Sequence, residues 1–285
     1  AVILLIIIVI IFFRNLQRNR TYQKVLKKAK AEAESLTKAK EIFVATVSHE
    51  VRTPVNAIYG LTEQMLQKTN SEEMTADLKV VHKSAEHLIA LVNDTLDFSK
   101  IESQKLTLEQ IDFLPDEIIT EVHTLHKDSA LKKGIKLIVS NNNDRSLILR
   151  GDPIRLKQIL INLITNAIKF TSQGQVTLAV SGKESQEQNY ALIIEVSDTG
   201  IGISKEDLPQ IFDEFVQLNT DLTQKQRGAG LGLAIVKKLV ILQNGKIDVD
   251  STPGKGTRFV LQIPYQKGNS EYTIKKTNDQ LAIPE

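Results

Sequence analysis

The chain is 285 residues long, enough for about two domains, with the composition of an ordinary globular protein. A formal net charge of +2 and the absence of Trp leave nucleic-acid binding without a basic surface or stacking platforms, so no nucleic-acid partner is expected. The absence of cysteine excludes disulfides and thiolate metal sites.

Residues 1–13, "AVILLIIIVIIFF", carry no polar side chain. A spanning helix needs about 20 apolar residues, so this stretch reads as the end of a transmembrane helix cut upstream. A signal peptide would carry its positive charge before the apolar run, and a buried strand would not need the basic segment after it. Between Arg14 and Lys40, nine basic residues face only Glu32 and Glu34. That asymmetry keeps the chain beyond residue 14 on the cytoplasmic side, and the expected location is the cytoplasmic membrane with the catalytic portion in the cytoplasm. Over residues 14–41 a heptad-like spacing through Tyr22, Val25, Ala29, Leu36 and Ala39 to Phe43 predicts a marginal coiled coil or a solvated single helix.

Residues 42–104 carry two runs of apolar residues at helical spacing. The first passes through Phe43, Val47, Val51, Pro54, Ile58, Leu61 and Met65, and the second through Leu78, Val81, Ala85, Leu88, Val92 and Leu96. The polar break "QKTNSEEMT" separates them, which predicts an antiparallel helical hairpin that completes a four-helix bundle by forming a homodimer. His49 lies two residues from both Val47 and Val51, nearly opposite the apolar stripe, with Arg52, Thr53 and Asn56 on its own face. Pro54 costs a helix interior on the order of 3 kcal/mol and is expected to bend or loosen it beside His49. An accessible imidazole in such a helix suits nucleophilic attack, with Glu50 able to hold the proton of one ring nitrogen. His82, His87, His123 and His126 read as ordinary polar surface residues.

The segment "SHEVRTPVNAIYG" resembles the phospho-acceptor motif of the two-component sensor histidine kinases. The resemblance implies that His49 accepts a phosphoryl group, that Glu50 acts as orienting base, and that Thr53 positions water when the enzyme dephosphorylates its partner.

From residue 112 to 266 helices alternate with short β-rich runs, "IKLIVS", "LILR", "QVTLAV", "ALIIEV", "KIDVD" and "TRFVLQIP", which indicates an α/β sandwich. Helices are expected at about 115–133 and 152–170, the second opened by Asp152 and Pro153. In "QILINLITNAIKFT", Asn162, Asn166 and Lys169 share one helix face while Ile159, Leu160, Leu163 and Ile164 supply apolar contacts. Such carboxamides are either surface polar groups or oxygen ligands for Mg²⁺. "EVSDTGIGIS" sets Asp198 after an apolar strand and before Gly200 and Gly202, a carboxylate able to accept from an amine beside glycines that admit a flat ring. "RGAGLGLAIVKKLV" opens a helix with Gly228, Gly230 and Gly232, and "TPGKGTRF" adds Gly254 and Gly256 without forming a Walker loop. Residues 267–285 read as a tail or linker.

Taken in order, these segments with "IFDEFVQ" resemble the nucleotide-binding domain of histidine kinases, and the likeness runs over roughly residues 40 to 265. It implies an α+β multidomain chain whose second half is an ATP-binding sandwich of the Bergerat (GHKL-like) kind. It further implies that Asp198 binds adenine with Gly200 and Gly202, that Asn166 holds Mg²⁺, and that Asn162 and Lys169 lie near the phosphates. Phe212 and Phe215 would flank a lid from about Val216 to Ala229. Arg227, Gly228, Gly230, Leu231, Gly232 and Thr257 would complete the nucleotide site.

The implied activity is autophosphorylation of His49 from ATP–Mg²⁺ and transfer to an aspartate of a response regulator receiver domain, in trans or fused downstream. Three alternatives stand beside it: a clamp-type ATPase of the same superfamily, a catalytically silent nucleotide-binding scaffold, and a sensor that is chiefly a phosphatase.

Overall fold

The computed structural model describes residues 14, 18, 23, 27, 30, 44, 47, 48, 50–68, 72–184, 189–216 and 230–269. The chain divides into two compact units, Ala1–Gln104 and Lys105–Glu285. Residues 1–13 lie outside the described residues. The five described positions between 14 and 30 are helical and exposed, and among the described residues no helix is long and apolar enough to cross a membrane.

The first unit contains the predicted hairpin. Helix α1, residues 50–68, continues without interruption through Pro54, and α2 spans Glu72–Glu102. Helix therefore occupies most of the polar break expected at residues 67–75, because Gln, Lys and Glu are good helix formers that need no buried face.

On α1 the packed seam is not the stripe that the spacing marks, whereas on α2 the marked residue Ala85 is buried and Leu78, Val92 and Leu96 are half-buried. Ser48, Val55 and Thr62, seven residues apart, are buried, as are Ala85 and Phe98 of α2. Thr62 Oγ1 donates to the carbonyls of Ile58 and Tyr59, both at 2.9 Å, so its hydrogen is committed and His82 Nδ1 is the donor in their 3.1 Å contact. The His82 ring stacks on Tyr59 with centroids 4.1 Å apart. His82 is thus a half-buried member of the seam and not a surface residue. Arg52 Nη2 crosses the hairpin to donate to Asn93 Oδ1 at 2.6 Å. The expected stripe instead stays open: Val47, Ile58, Leu61 and Met65 on the first arm, and Val81 and Leu88 on the second, are all at least 40% exposed.

The second unit runs β1 (Ile111–Phe113), α3 (Pro115–Lys132), β2 (Ile135–Asn141), β3 (Leu149–Gly151), α4 (Pro153–Phe170), β4 (Gly174–Glu184), β5 (Asn189–Asp198), α5 (Gly232–Leu242), β6 (Lys246–Thr252) and β7 (Gly256–Lys267). The strands form one sheet in the order β1-β3-β7-β5-β4-β2, with β6 also paired to β7. Only β2 and β4 pair in parallel. The three helices pack on this sheet and on one another. Alternate residues of the central strands point inward, including Val176, Leu178 and Val180, Leu192, Ile194 and Val196, and Leu261 and Ile263. They meet Leu156, Ile159, Leu160, Leu163 and Ile164 of α4, none more than 1% exposed. Each such side chain contributes about 1.5–3 kcal/mol.

Both ends of α4 are tied. Asp152 Oδ1 accepts from the Arg155 amide and Oδ2 from the Glu109 amide, each at 3.0 Å. Lys133 Nζ donates to the carbonyls of Ile168 and Lys169 at 2.6 and 2.7 Å, and burial holds its pKa below the ordinary lysine value. His126 is also buried, against its expected surface place. Its Nδ1–H donates to the Val122 carbonyl at 2.9 Å, leaving Nε2 to accept from Thr165 Oγ1 at 3.1 Å. Strand β1 has no counterpart among the predicted runs, since three residues carry no legible period.

Asp94 on α2 is raised to about pH 6 by burial and, second, by the neighbouring Asp97 carboxylate. A carboxyl raised in the fold favours folding below its unfolded pKa, and that contribution is lost as the pH climbs through about 6. Asp94→Asn should therefore raise the unfolding midpoint at pH 8 but not at pH 3.5. After solvent screening the gain is on the order of 1 kcal/mol, and calorimetry at the two pH values checks it.

Candidate nucleotide and phospho-acceptor site

Strand β5 ends in Asp198, whose half-buried carboxylate is the centre of the site. Asp198 Oδ1 accepts from the Gly200 amide at 2.8 Å and from the Thr257 amide at 3.3 Å. Burial raises its pKa above the usual aspartate value even though both amide bonds act to lower it. The carboxylate form is therefore held at a cost that a donor arriving from solvent would offset.

The two glycine motifs, about fifty residues apart in sequence, form one wall. The Gly254 amide donates to the Ile201 carbonyl at 2.7 Å, and the Ile203 amide donates to Ser251 Oγ at 2.8 Å. Ser251 in turn donates to the Gly256 carbonyl at 2.9 Å and receives the buried Thr257 hydroxyl at 2.9 Å. Gly202, at φ +67°, lies against the Thr252 carbonyl, and Gly256, at φ +102°, lies against the carbonyl of Asp198 itself. A Cβ at either position would collide with backbone, so glycine is required there. Gly200 is just as confined, with its missing Cβ facing the Phe170 carbonyl at the end of α4.

On α4, Asn162, Asn166 and Lys169 form a half-exposed stripe opposite the buried leucines and isoleucines. Asn162 Oδ1 comes within 3.3 Å of where a Cβ on Gly232 would sit, so the stripe meets the first turn of α5. Lys169 has its pKa lowered by burial, and its amine lies 5.0 Å from the Phe170 ring centroid. No side chain caps the start of α5. Its first-turn amides are aligned by the helix for an anion. Leu231 contributes only backbone, because its side chain is 1% exposed in the core.

Phe212 meets Phe259 edge-on at 6.3 Å and lies under the Lys237 amine at 5.2 Å. Phe215 is 65% exposed in a left-handed conformation at φ +60°, and its amide donates to the Gly230 carbonyl at 3.1 Å. Arg227, Gly228 and the rest of the expected lid from residue 217 lie outside the described residues. So does His49, while its neighbours Glu50 and Thr53 are exposed helical positions. The structure therefore joins Asp198, Gly200 and Thr257 directly, sets Gly202 against Thr252, and brings Asn162 beside Gly232. Sequence reasoning missed Ser251, whose hydroxyl links three segments, and Lys133, whose amine closes the end of α4. A serine before a Pro-Gly turn is the one signal for the former.

Residues 39–104 match the His Kinase A (phospho-acceptor) domain. Residues 151–267 match the family described as histidine kinase-, DNA gyrase B-, and HSP90-like ATPase. The chain belongs to the sensor histidine kinases. It is 39% identical over 244 residues to the sensor protein GacS of Pseudomonas syringae pv. syringae, a match covering 85% of this chain and 27% of that protein. It is 38% identical over 237 residues to the autoinducer 2 sensor kinase/phosphatase LuxQ of Vibrio parahaemolyticus, covering 83% and 28%. Full-length ShkA, crystallised in complex with AMPPNP, aligns with a TM-score of 0.63 at 31% identity over 79% of this chain and 46% of that one. The chain spans about a quarter of the length of these curated relatives.

Two neighbouring glycines test the wall. Gly254 and Gly256 both have positive φ, but nothing lies within 4 Å of a Cβ at Gly254. Gly254→Ala should cost about 1 kcal/mol of conformational strain. Gly256→Ala should cost several-fold more and lower the unfolding midpoint accordingly, as thermal melts of the two variants will show.

Proposed function

We propose that this kinase moves the γ-phosphoryl of ATP to His49 and passes it to an aspartate on a receiver domain, and that it does so as a homodimer. The observation that carries this reading is the Asp198 carboxylate, held by the backbone amides of Gly200 and Thr257 where the two glycine motifs pack against each other. It is placed to accept from the exocyclic amine of adenine. Asn162, Lys169 and the uncapped start of α5 would then take the phosphates, with Phe212 and Phe215 preceding residues 217–229 in the chain.

The donor set fits Mg²⁺ carried by the nucleotide. Among the described residues there is no cluster of three or more His, Cys, Asp or Glu that could hold a metal. A carboxamide oxygen of Asn166 would serve as the protein ligand, with phosphate and water supplying the rest. When bound, the ion neutralises charge on the phosphates.

At the acceptor, the ring nitrogen of His49 distal to the backbone attacks the γ-phosphorus. The new P–N bond forms as the bond from phosphorus to the bridging oxygen breaks, and ADP leaves with that electron pair. Glu50 takes the proton from the other ring nitrogen, returning the imidazole to neutrality. Alignment in line with the leaving oxygen carries most of the catalysis.

The exposed stripe of Val47, Ile58, Leu61, Met65, Val81 and Leu88 supports dimerisation, because a second hairpin would remove it from water. Thr53 would orient water in the reverse, phosphatase direction. The name of LuxQ, a sensor kinase/phosphatase, supports that second activity. Attachment to the cytoplasmic membrane rests on the sequence of residues 1–13 and the basic segment after it.

With γ-labelled ATP and Mg²⁺, the full chain should acquire acid-labile, base-stable label. His49→Gln and Asn166→Ala should each reduce it at least 100-fold. ATP turnover without label on the protein would support the clamp ATPase instead, and tight ATP binding without turnover would support the silent scaffold.

A further inference from the structure

Arg52, on α1, lies three residues after the proposed acceptor in the sequence. Its guanidinium is tied across the hairpin to a neutral carboxamide, Asn93 Oδ1, at 2.6 Å. No ion pair involving Arg52 is found among the described residues, although α2 carries two carboxylates, Asp94 and Asp97, directly beyond Asn93.

This choice of partner has an electrostatic consequence. A carboxylate at position 93 would hold Arg52 at least as firmly, and would also neutralise it. An amide oxygen fixes the direction of the guanidinium while leaving its full charge, and four of its five N–H donors, for another anion. The anion that the proposed reaction brings to this turn of α1 is the phosphoryl group itself.

Resting on the kinase reading above, we propose that Asn93 is a positioning residue for phosphoryl transfer. It fixes the direction of Arg52, three residues from the acceptor in sequence, and, by being neutral, keeps the guanidinium charge available to the phosphoryl oxygens. A merely structural tie predicts the opposite ranking of variants, since Asn93→Asp would then be as good as the native residue or better.

The test compares the unaltered full chain with Asn93→Asp, Asn93→Ala and Asn93→Gln, together with their unfolding midpoints. At saturating ATP, Asn93→Asp should lower the rate of His49 phosphorylation at least tenfold, with the KM for ATP changed less than twofold. Asn93→Ala should lose less than Asn93→Asp, and Asn93→Gln should retain at least a third of the native rate. A second arm uses potassium phosphoramidate, in which the histidine nitrogen displaces ammonia from phosphorus with no need of ATP. The same order of variants is expected there, so failure of the kinase reading is distinguishable from failure of this one. Native or faster phosphorylation of Asn93→Asp in the phosphoramidate arm overturns the proposal. So does an equal loss in Asn93→Asp and Asn93→Ala that tracks their midpoints.

Discussion

One half-buried carboxylate organises the ATPase-like half of the chain. Asp198 Oδ1 receives amides from Gly200, two residues on, and from Thr257, 59 residues on. Burial raises its pKa, and the two amides act against that rise. The loop after β5 and the start of β7 must therefore both be in place before Asp198 remains available as an acceptor. That requirement explains the glycines: a side chain at Gly200 or Gly256 would push away the very backbone that satisfies the charge. The surrounding stability comes from α4 lying on the sheet, with five leucine and isoleucine side chains out of water on one side and a carboxamide stripe on the other.

The helical half divides its faces in a way that one chain alone does not explain. Within the hairpin the seam is partly polar, running through Ser48, Thr62 and His82, with the exposed Arg52–Asn93 bond also crossing between the arms. The more apolar faces are left in solvent. A polar seam fixes register because each hydrogen bond has a single partner, whereas an apolar stripe supplies affinity without direction. The two arms are thus set by specific bonds, and the hydrophobic drive is left for a partner hairpin.

The same division shows what was legible in the sequence. Residues whose role is set by their own helix or strand could be read: Asp152 and Pro153 at the start of α4, its buried leucines and isoleucines, and the alternating strands β4, β5 and β7. The apolar stripe of α1 was legible as a stripe but not as the face that turns away from α2, because periodicity says that a face is buried and not by what. Ser48 and Thr62 broke the apolar pattern and so concealed the seam. His126, Lys133 and Ser251 act through partners 39, 35 and 48 residues away in the chain, and no local signal marks such pairings. The glycine motifs were legible in their order, while the wall they build together needed the fold.

On the proposed function, Asp198 reads the six-position of a purine as a hydrogen-bond donor. Calorimetric titration of the full chain with ATP and with inosine triphosphate, which carries a carbonyl oxygen in place of the amine, tests it most directly. The account predicts that ATP binds at least tenfold more tightly and that Asp198→Asn reduces or abolishes the difference. Equal affinity for the two nucleotides would contradict it.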